Sequence, residues 1–190
     1  MMFHDMVKAN RSYRRFWENE QISRKILLQL IDSARIVASG ANKQAIKYYL
    51  SYEKELNQKI FETVAWAGFF KDWPGPVEGE RPSAYLVLVQ DETYTLGNPA
   101  DLGIAAQTIL LGAIEQDLGG CMIGNIEKIK LHEVLNMPKN HQILLVIALG
   151  KPKETVVIDE MEAEGDTKYW RDEKQVHHVP KRKLKDIVMN

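Results

Sequence analysis

Several features that would narrow the chemistry of this protein quickly are missing from its sequence. Cysteine is nearly absent: Cys121 is the one example in 190 residues. A single thiol cannot close an intrachain disulfide, which fits a reducing compartment. No H-E-x-x-H, C-x-x-C or G-x-S-x-G motif occurs, and the five histidines, His177 and His178 among them, show no metal-ligand spacing. Metal-dependent and triad hydrolysis therefore lack support, and no metal is expected. "LGGCMIGN" (118–125) does not follow the G-x-G-x-x-G order, and nothing resembles a P-loop. Net charge is also scarce, at a formal −1, so there is no broad electrostatic footprint for nucleic acid or an anionic membrane. The opening "MMFHDMVKAN" lacks the apolar core of a secretory signal. The most apolar runs, "ILLGAI" (109–114) and "ILLVIALG" (143–150), are too short to span a bilayer. These absences describe a cytoplasmic protein with neither a nucleic-acid nor a membrane partner.

What is present is enough for one ordered domain over residues 1–190, with 45% apolar residues to build its core. Residues 2–9 read as a short helix, and "SRKILLQLIDSARIVASG" (23–40) as an amphipathic one. In the latter Ser23 caps, Ile26, Leu27, Leu30, Ile31 and Ala34 form the stripe, and Gly40 lies past the end. A strand is expected at 45–53, a helix at 53–67, and an irregular stretch, "GFFKDWPGPVEGERPS", at 68–83. "AYLVLVQD" (84–91) reads as a buried strand. The segment 98–119 is a helix opened by Asn98, Pro99 and Asp101 and apolar nearly all round, so it must be covered on every side. A short strand at 120–124, a helix at 127–136 and a core strand at 141–150 follow. The acidic run "DEMEAEGD" (159–166) reads as a solvated loop, and the basic tail as ending in a small helix. The irregular alternation of strands and helices favours an α+β fold over a doubly wound sheet.

Against this low net charge, "ANRSYRRF" (9–16) gathers Arg11, Arg14 and Arg15. Like charges so close repel, which leaves a solvated basic patch or a clamp on a small anion, with Ser12 as a further donor. "ASGANKQ" (38–44) is either a plain helix stop or a polar turn offering Ser39, Asn42 and Gln44 to a polyol or heterocycle. Gly124 has no Cβ to obstruct a flat ligand lying along its backbone. Cys121, in an apolar strand, reads as a small buried hydrophobe. Trp66, Phe69, Phe70 and Trp73 cluster beside the irregular stretch.

Taken in order, "RSYRRF", "ASGANKQ", "DLGIAAQTILLGAIEQDLG", the glycine-rich strand, "ALGKP" and the basic tail resemble the nitroreductase family of FMN-dependent flavoproteins. The resemblance covers about residues 8–50 and 84–188. It implies a nitroreductase-like α+β fold, a central, mainly antiparallel sheet flanked by helices. It also implies a homodimer with the long central helix 98–117 at its interface and two shared FMN sites. The implied activity is an FMN-dependent NAD(P)H oxidoreductase. Hydride passes from NADH or NADPH to the flavin, then to a small electron-poor acceptor such as a nitroaromatic or quinone, in ping-pong order. The flavin carries the chemistry, so no catalytic side chain is expected. By the same resemblance Arg11 and Ser12 bind the FMN phosphate and ribityl chain. Arg14 lies near the pyrimidine side, where its charge stabilises the anionic reduced flavin. Ser39, Asn42 and Gln44 come from the turn one subunit lends to the pocket, Ile123 and Gly124 lie along the ring, and Lys181 and Arg182 close over the phosphate. Two departures stand out: Asn10 replaces a frequent arginine, and Ala45-Ile46 follows Gln44 where Pro-Trp is common.

Other readings share these residues. Reductive dehalogenation and oxygen-dependent flavin breakdown occur on related scaffolds. A non-enzymatic flavin sensor would want an output domain, and a nucleic-acid module using "RSYRR" and "KRKLK" would want a broad basic surface.

Overall fold

In a computed structural model, which describes residues 1–93 and 97–189, the chain forms an α+β fold. Its centre is a four-stranded antiparallel sheet in the order β1-β2-β4-β3, from Ile46–Ser51, Ala84–Asp91, His141–Gly150 and Gly119–Ile123. All eight residues of β2 are buried because both faces of the sheet are covered. Ala84, Leu86 and Leu88 join Ile147 and Leu149 under α2 (Arg24–Arg35) and α4 (Pro99–Glu115). Tyr85, Val87 and Val89 face the opposite way with Val146, Ala148, Ile60 of α3 (Lys54–Phe61) and Leu131 of α5 (Lys128–Val134).

The helix signals act as the sequence implies at the N-termini. Ser23 Oγ accepts from the Ile26 amide at 3.3 Å, and Asn98 and Asp101 form a full capping box around Pro99. The C-termini fall short of the expectation. α2 ends at Arg35, five residues before Gly40. The β-branched Ile36-Val37 pair weakens helix continuation, and the Gly40 amide is instead held by Asp101 Oδ1 at 2.9 Å. α3 stops at Phe61 rather than 67, since Thr63 accepts from the Glu127 amide at 2.8 Å and Val64 pairs with Ile126. α1 (Phe3–Ala9) leads into the arginine stretch, as expected. Among the described residues no helix is long and apolar enough to cross a membrane.

The C-terminal part corrects two expectations. Val156–Met161, Trp170–Arg171 and His177–Arg182 form a second sheet (β5, β6, β7) in the order β5-β7-β6, with β5 and β7 parallel. Part of the acidic run is therefore strand, not loop, and the tail is a strand followed by a single 3-10 turn, Leu184–Asp186. The acidic side chains have cations to meet. Asp159 Oδ2 lies 2.8 Å from His178 Nδ1, and Glu162 pairs with Lys183 at 2.7 Å.

His178 ties the three strands together. Its Nε2 is 3.6 Å from Asp172, and its ring stacks on Trp170 at 4.9 Å. The Asp159 hydrogen bond, aided by the Asp172 charge, raises its pKa above the ordinary 6.5. A raised pKa contributes stability that is complete below the ordinary value and lost as pH rises through the folded one. The melting-temperature gap between the wild type and His178→Gln should therefore close as pH is raised above neutrality. A gap that does not change with pH would refute the pairing.

Candidate functional site

Residues 10–17 lie as an extended strap across one end of the central sheet. Ser12 bridges Gly120, the Tyr13 amide donates to Gly120 O at 3.0 Å, and Phe16, fully buried, donates its amide to Glu80 O at 2.9 Å. Trp17 N and Lys153 N pin the far end through Lys151 O and Arg15 O, at 2.8 and 2.9 Å. The strap separates the three arginines. Arg11 turns back to Val7 O at 2.9 Å, leaving its buried Nε without a partner among the described residues. Burial lowers its pKa. Arg15 grips Glu80 with two bonds, at 2.5 and 2.7 Å, and Lys153 joins at 3.0 Å. These contacts hold the Glu80 carboxyl down at about 2, so the pair is charged throughout the physiological range. Arg15 thus has its anion within the chain.

Arg14 points elsewhere. It lines a cleft of about 200 Å³ together with Trp66, which follows α3, Gly68 at the start of the irregular stretch, Ile123 and Gly124 at the end of β3, and Tyr169. Its guanidinium lies over the Tyr169 ring, 4.9 Å from the centroid, and donates to Ser12 O at 3.2 Å. An ideal Cβ on Gly124 would meet nothing within 4 Å, so the strand end borders open space. Trp66 is buried, and its indole N–H has no partner among the described residues. Cys121 is buried beside the cleft, and burial pushes its thiol up, away from the reactive thiolate.

The strap and the sheet beneath it fall within residues 7–151, which match the description "Nitroreductase family". The chain belongs to the nitroreductase family. An Archaeoglobus fulgidus protein named "Putative NADH dehydrogenase/NAD(P)H nitroreductase" is 25% identical over 158 residues, covering 78% of this chain and 84% of its own. A Bacteroides thetaiotaomicron structure of the same description superposes with a TM-score of 0.65 at 17% identity, covering 92% of this chain and 95% of that one. A Clostridium difficile structure described as an FMN-dependent nitroreductase does so at 0.63 and 21%, covering 78% and 87%.

In this nitroreductase-family chain Ser12 stays beside the Arg14 cleft, its carbonyl accepting from the guanidinium, whereas the Ser39–Gln44 turn, Lys181 and Arg182 are not part of the cleft's lining. Ser39 and Gln44 line a separate cavity of about 500 Å³ with Ala34, Asp101 and Ala105. Asn42 belongs to the same turn, where Gln44 N donates to Ser39 Oγ at 3.3 Å and Gln44 Nε2 to Asn42 O at 3.3 Å. Lys181 and Arg182 end β7, both exposed, with Arg182 Nη1 donating to Ala163 O at 2.9 Å. At about 3.3 Å per residue they sit roughly 13 and 16 Å along the strand from His177, whose ring packs on Tyr169 at the cleft.

Several residues the sequence did not single out organise this site. Glu154 has a fully buried carboxylate: one oxygen accepts the Arg14 amide, and the other takes Arg171 Nη2 at 2.9 Å. Arg171 in turn lies 4.4 Å from the Trp73 ring centroid and 4.9 Å from that of Phe70. Tyr169 forms a cleft wall from a segment that precedes a two-residue strand. Glu154 follows "ALGKPK" in a run of mixed charges, so nothing local marks it as a buried anion.

Proposed function

We propose that the chain is an FMN-dependent NAD(P)H oxidoreductase acting as a cytoplasmic homodimer. It passes hydride from NADH or NADPH to flavin and then to a small electron-poor acceptor such as a nitroaromatic or quinone, in ping-pong order. The observation that carries this reading is that Arg14 and the Ile123-Gly124 strand end, far apart in sequence, line one cleft. The residues there fit the cofactor. Gly124 leaves space for a flat ring along the backbone, Arg14 supplies a cation, and Trp66 supplies an unpartnered buried donor. Arg11 and Ser12 would bind the phosphate and ribityl chain, with Lys181 and Arg182 closing over the phosphate. When bound, FMN supplies the two-electron chemistry that no side chain here provides. Arg14 would set positive charge beside the ring edge where negative charge accumulates on reduction. Tyr169 and Trp66 would exclude water from that edge.

A cleft of about 200 Å³ is smaller than the roughly 300–1,000 Å³ usual for such ligands. The missing walls would come from the Ser39–Gln44 turn of a second copy, brought in by α4. Ile104, on the face of that helix away from the core, is 39% exposed in the single chain. The purified protein should be yellow and release FMN on denaturation. Anaerobic stopped-flow should show rapid bleaching by a nicotinamide and recovery on adding a quinone. A colourless protein that takes up no added FMN would overturn the reading. Gly124→Val is the sharper variant. With open space around that position it should melt with the wild type yet lose most of its flavin, and full retention of FMN would remove the ring from this strand end.

A further inference from the structure

A third cavity, of about 340 Å³, lies between the end of the strap, α3 and the segment Arg81–Tyr85 that enters β2. It shares no lining residue with the Arg14 cleft, and β4 separates β2 from β3. Its volume is within the range of small-molecule sites. The wall contains three polar groups left unpaired. Tyr85 is fully buried and Ser83 is 2% exposed, yet neither hydroxyl has a hydrogen-bond partner among the described residues, and neither does Arg81 Nε.

Two of the polar groups around them are already committed. Asn57 is locked between Ser51 Oγ at 2.7 Å and Ser83 O at 2.8 Å. Glu18 Oε2 accepts the Gly79 and Arg81 amides, at 2.5 and 3.2 Å. Buried and unpartnered beside them are three donors: the two hydroxyls and the Arg81 Nε–H. Buried polar groups in native proteins nearly always find a partner, and orphans call for an explanation. Arg81 forms no ion pair among the described residues and is held over Phe61, 4.5 Å from the ring centroid. Lys54 stands exposed at the rim. The unmet demand is for an acceptor carrying negative charge. Glu18 and the exposed Glu78 in the same wall disfavour a dianion, which leaves a monoanion with two acceptor oxygens.

We propose that this cavity binds a small monocarboxylate, its oxygens taken by Arg81, Tyr85 and Ser83 and its carbon tail lying toward Phe61. The test uses the flavin-loaded protein with sodium propionate, against sodium chloride and phosphate at matched ionic strength, read by thermal shift and calorimetry. The wild type should show a saturable rise in melting temperature with propionate alone. Tyr85→Phe should keep its flavin spectrum and melt no lower than the wild type without propionate, since it loses only an orphan hydroxyl. Its affinity for propionate should fall about tenfold, the worth of one charge-assisted bond, and Arg81→Gln should fall further. No saturable response, an equal response from Tyr85→Phe, or the same rise with chloride or phosphate would each overturn the proposal. An equal response would mean that the hydroxyls bind only water.

Discussion

Gly120→Ala is expected to leave little soluble, folded protein. An ideal Cβ there would stand 2.4 Å from the Ala148 carbonyl oxygen, 2.7 Å from Leu110 Cδ2 and 2.9 Å from Leu149 Cδ2. A leucine tip can rotate away, but the Ala148 carbonyl belongs to β4, where Gly120 pairs with Leu149 in the central sheet. Relief requires β3 to lift off its neighbour. Overpacking of a core typically costs about 1–3 kcal/mol, and a clash with sheet backbone belongs at or above the upper end. Whole domains retain only about 5–15 kcal/mol. The damage extends to the proposed cofactor site, because Ser12 bridges Gly120 and Tyr13 donates to its carbonyl. Any lift of β3 carries the strap, and Arg14, with it. Urea unfolding should show a large drop in midpoint, with flavin content falling in the fraction that remains folded. Gly124→Ala is the comparison: four residues along, with nothing within 4 Å, it should unfold like the wild type. If the Gly120 and Gly124 variants unfold alike, the close approach of β3 to β4 is wrong.

The contrast between these two glycines marks where the sequence was legible. β2 and β4 have the expected limits, 84–91 and 141–150, because long uninterrupted apolar runs have few alternatives to a doubly covered strand. The Asn98-Pro99-Asp101 start of α4 is equally plain, since the capping box is a local device. Helix ends were less so. Whether α2 continues past Arg35 depends on Asp101, which is more than sixty residues away and takes the Gly40 amide. The β5-β7-β6 sheet was illegible for another reason. Its strands are short, half-exposed and rich in charge, so they carry no alternating apolar pattern. In the candidate site, Arg14, Ile123 and Gly124 stood out because they occur in ordered motifs. Glu154 and Arg171 did not, since an isolated charge in a charged stretch looks solvated until its long-range partner is known. The Ser39–Gln44 turn lines a cavity separate from the Arg14 cleft within one chain, so the proposed shared site would need that turn from a second copy.

Glu154→Ala is the second variant with a large expected effect, and it separates stability from the proposed function. Burial alone would raise the Glu154 pKa. Its contacts with His177, the Arg14 amide and Arg171 outweigh that and leave it below the ordinary 4.5. His177 Nδ1 is 3.8 Å away, too far for a hydrogen bond, so the Arg14 amide and Arg171 are the contacts that matter most. A lowered carboxyl pKa contributes stability that is complete at neutral pH and lost as pH falls below the ordinary value through the folded one. Removing the carboxylate leaves Arg171, 11% exposed, as an uncompensated cation close to Arg14 and Arg15. Breaking such a buried pair costs roughly 3–5 kcal/mol. Replacing both partners with apolar groups costs far less, so Glu154→Leu with Arg171→Leu should recover much of the stability lost by the single variant. It cannot restore the acceptor for the Arg14 amide. The double variant should therefore unfold near the wild type at neutral pH, show no acid-dependent loss from this site, and still bind flavin more weakly. Wild-type flavin affinity in that double variant would mean that Glu154 has no part in holding Arg14 at the cleft.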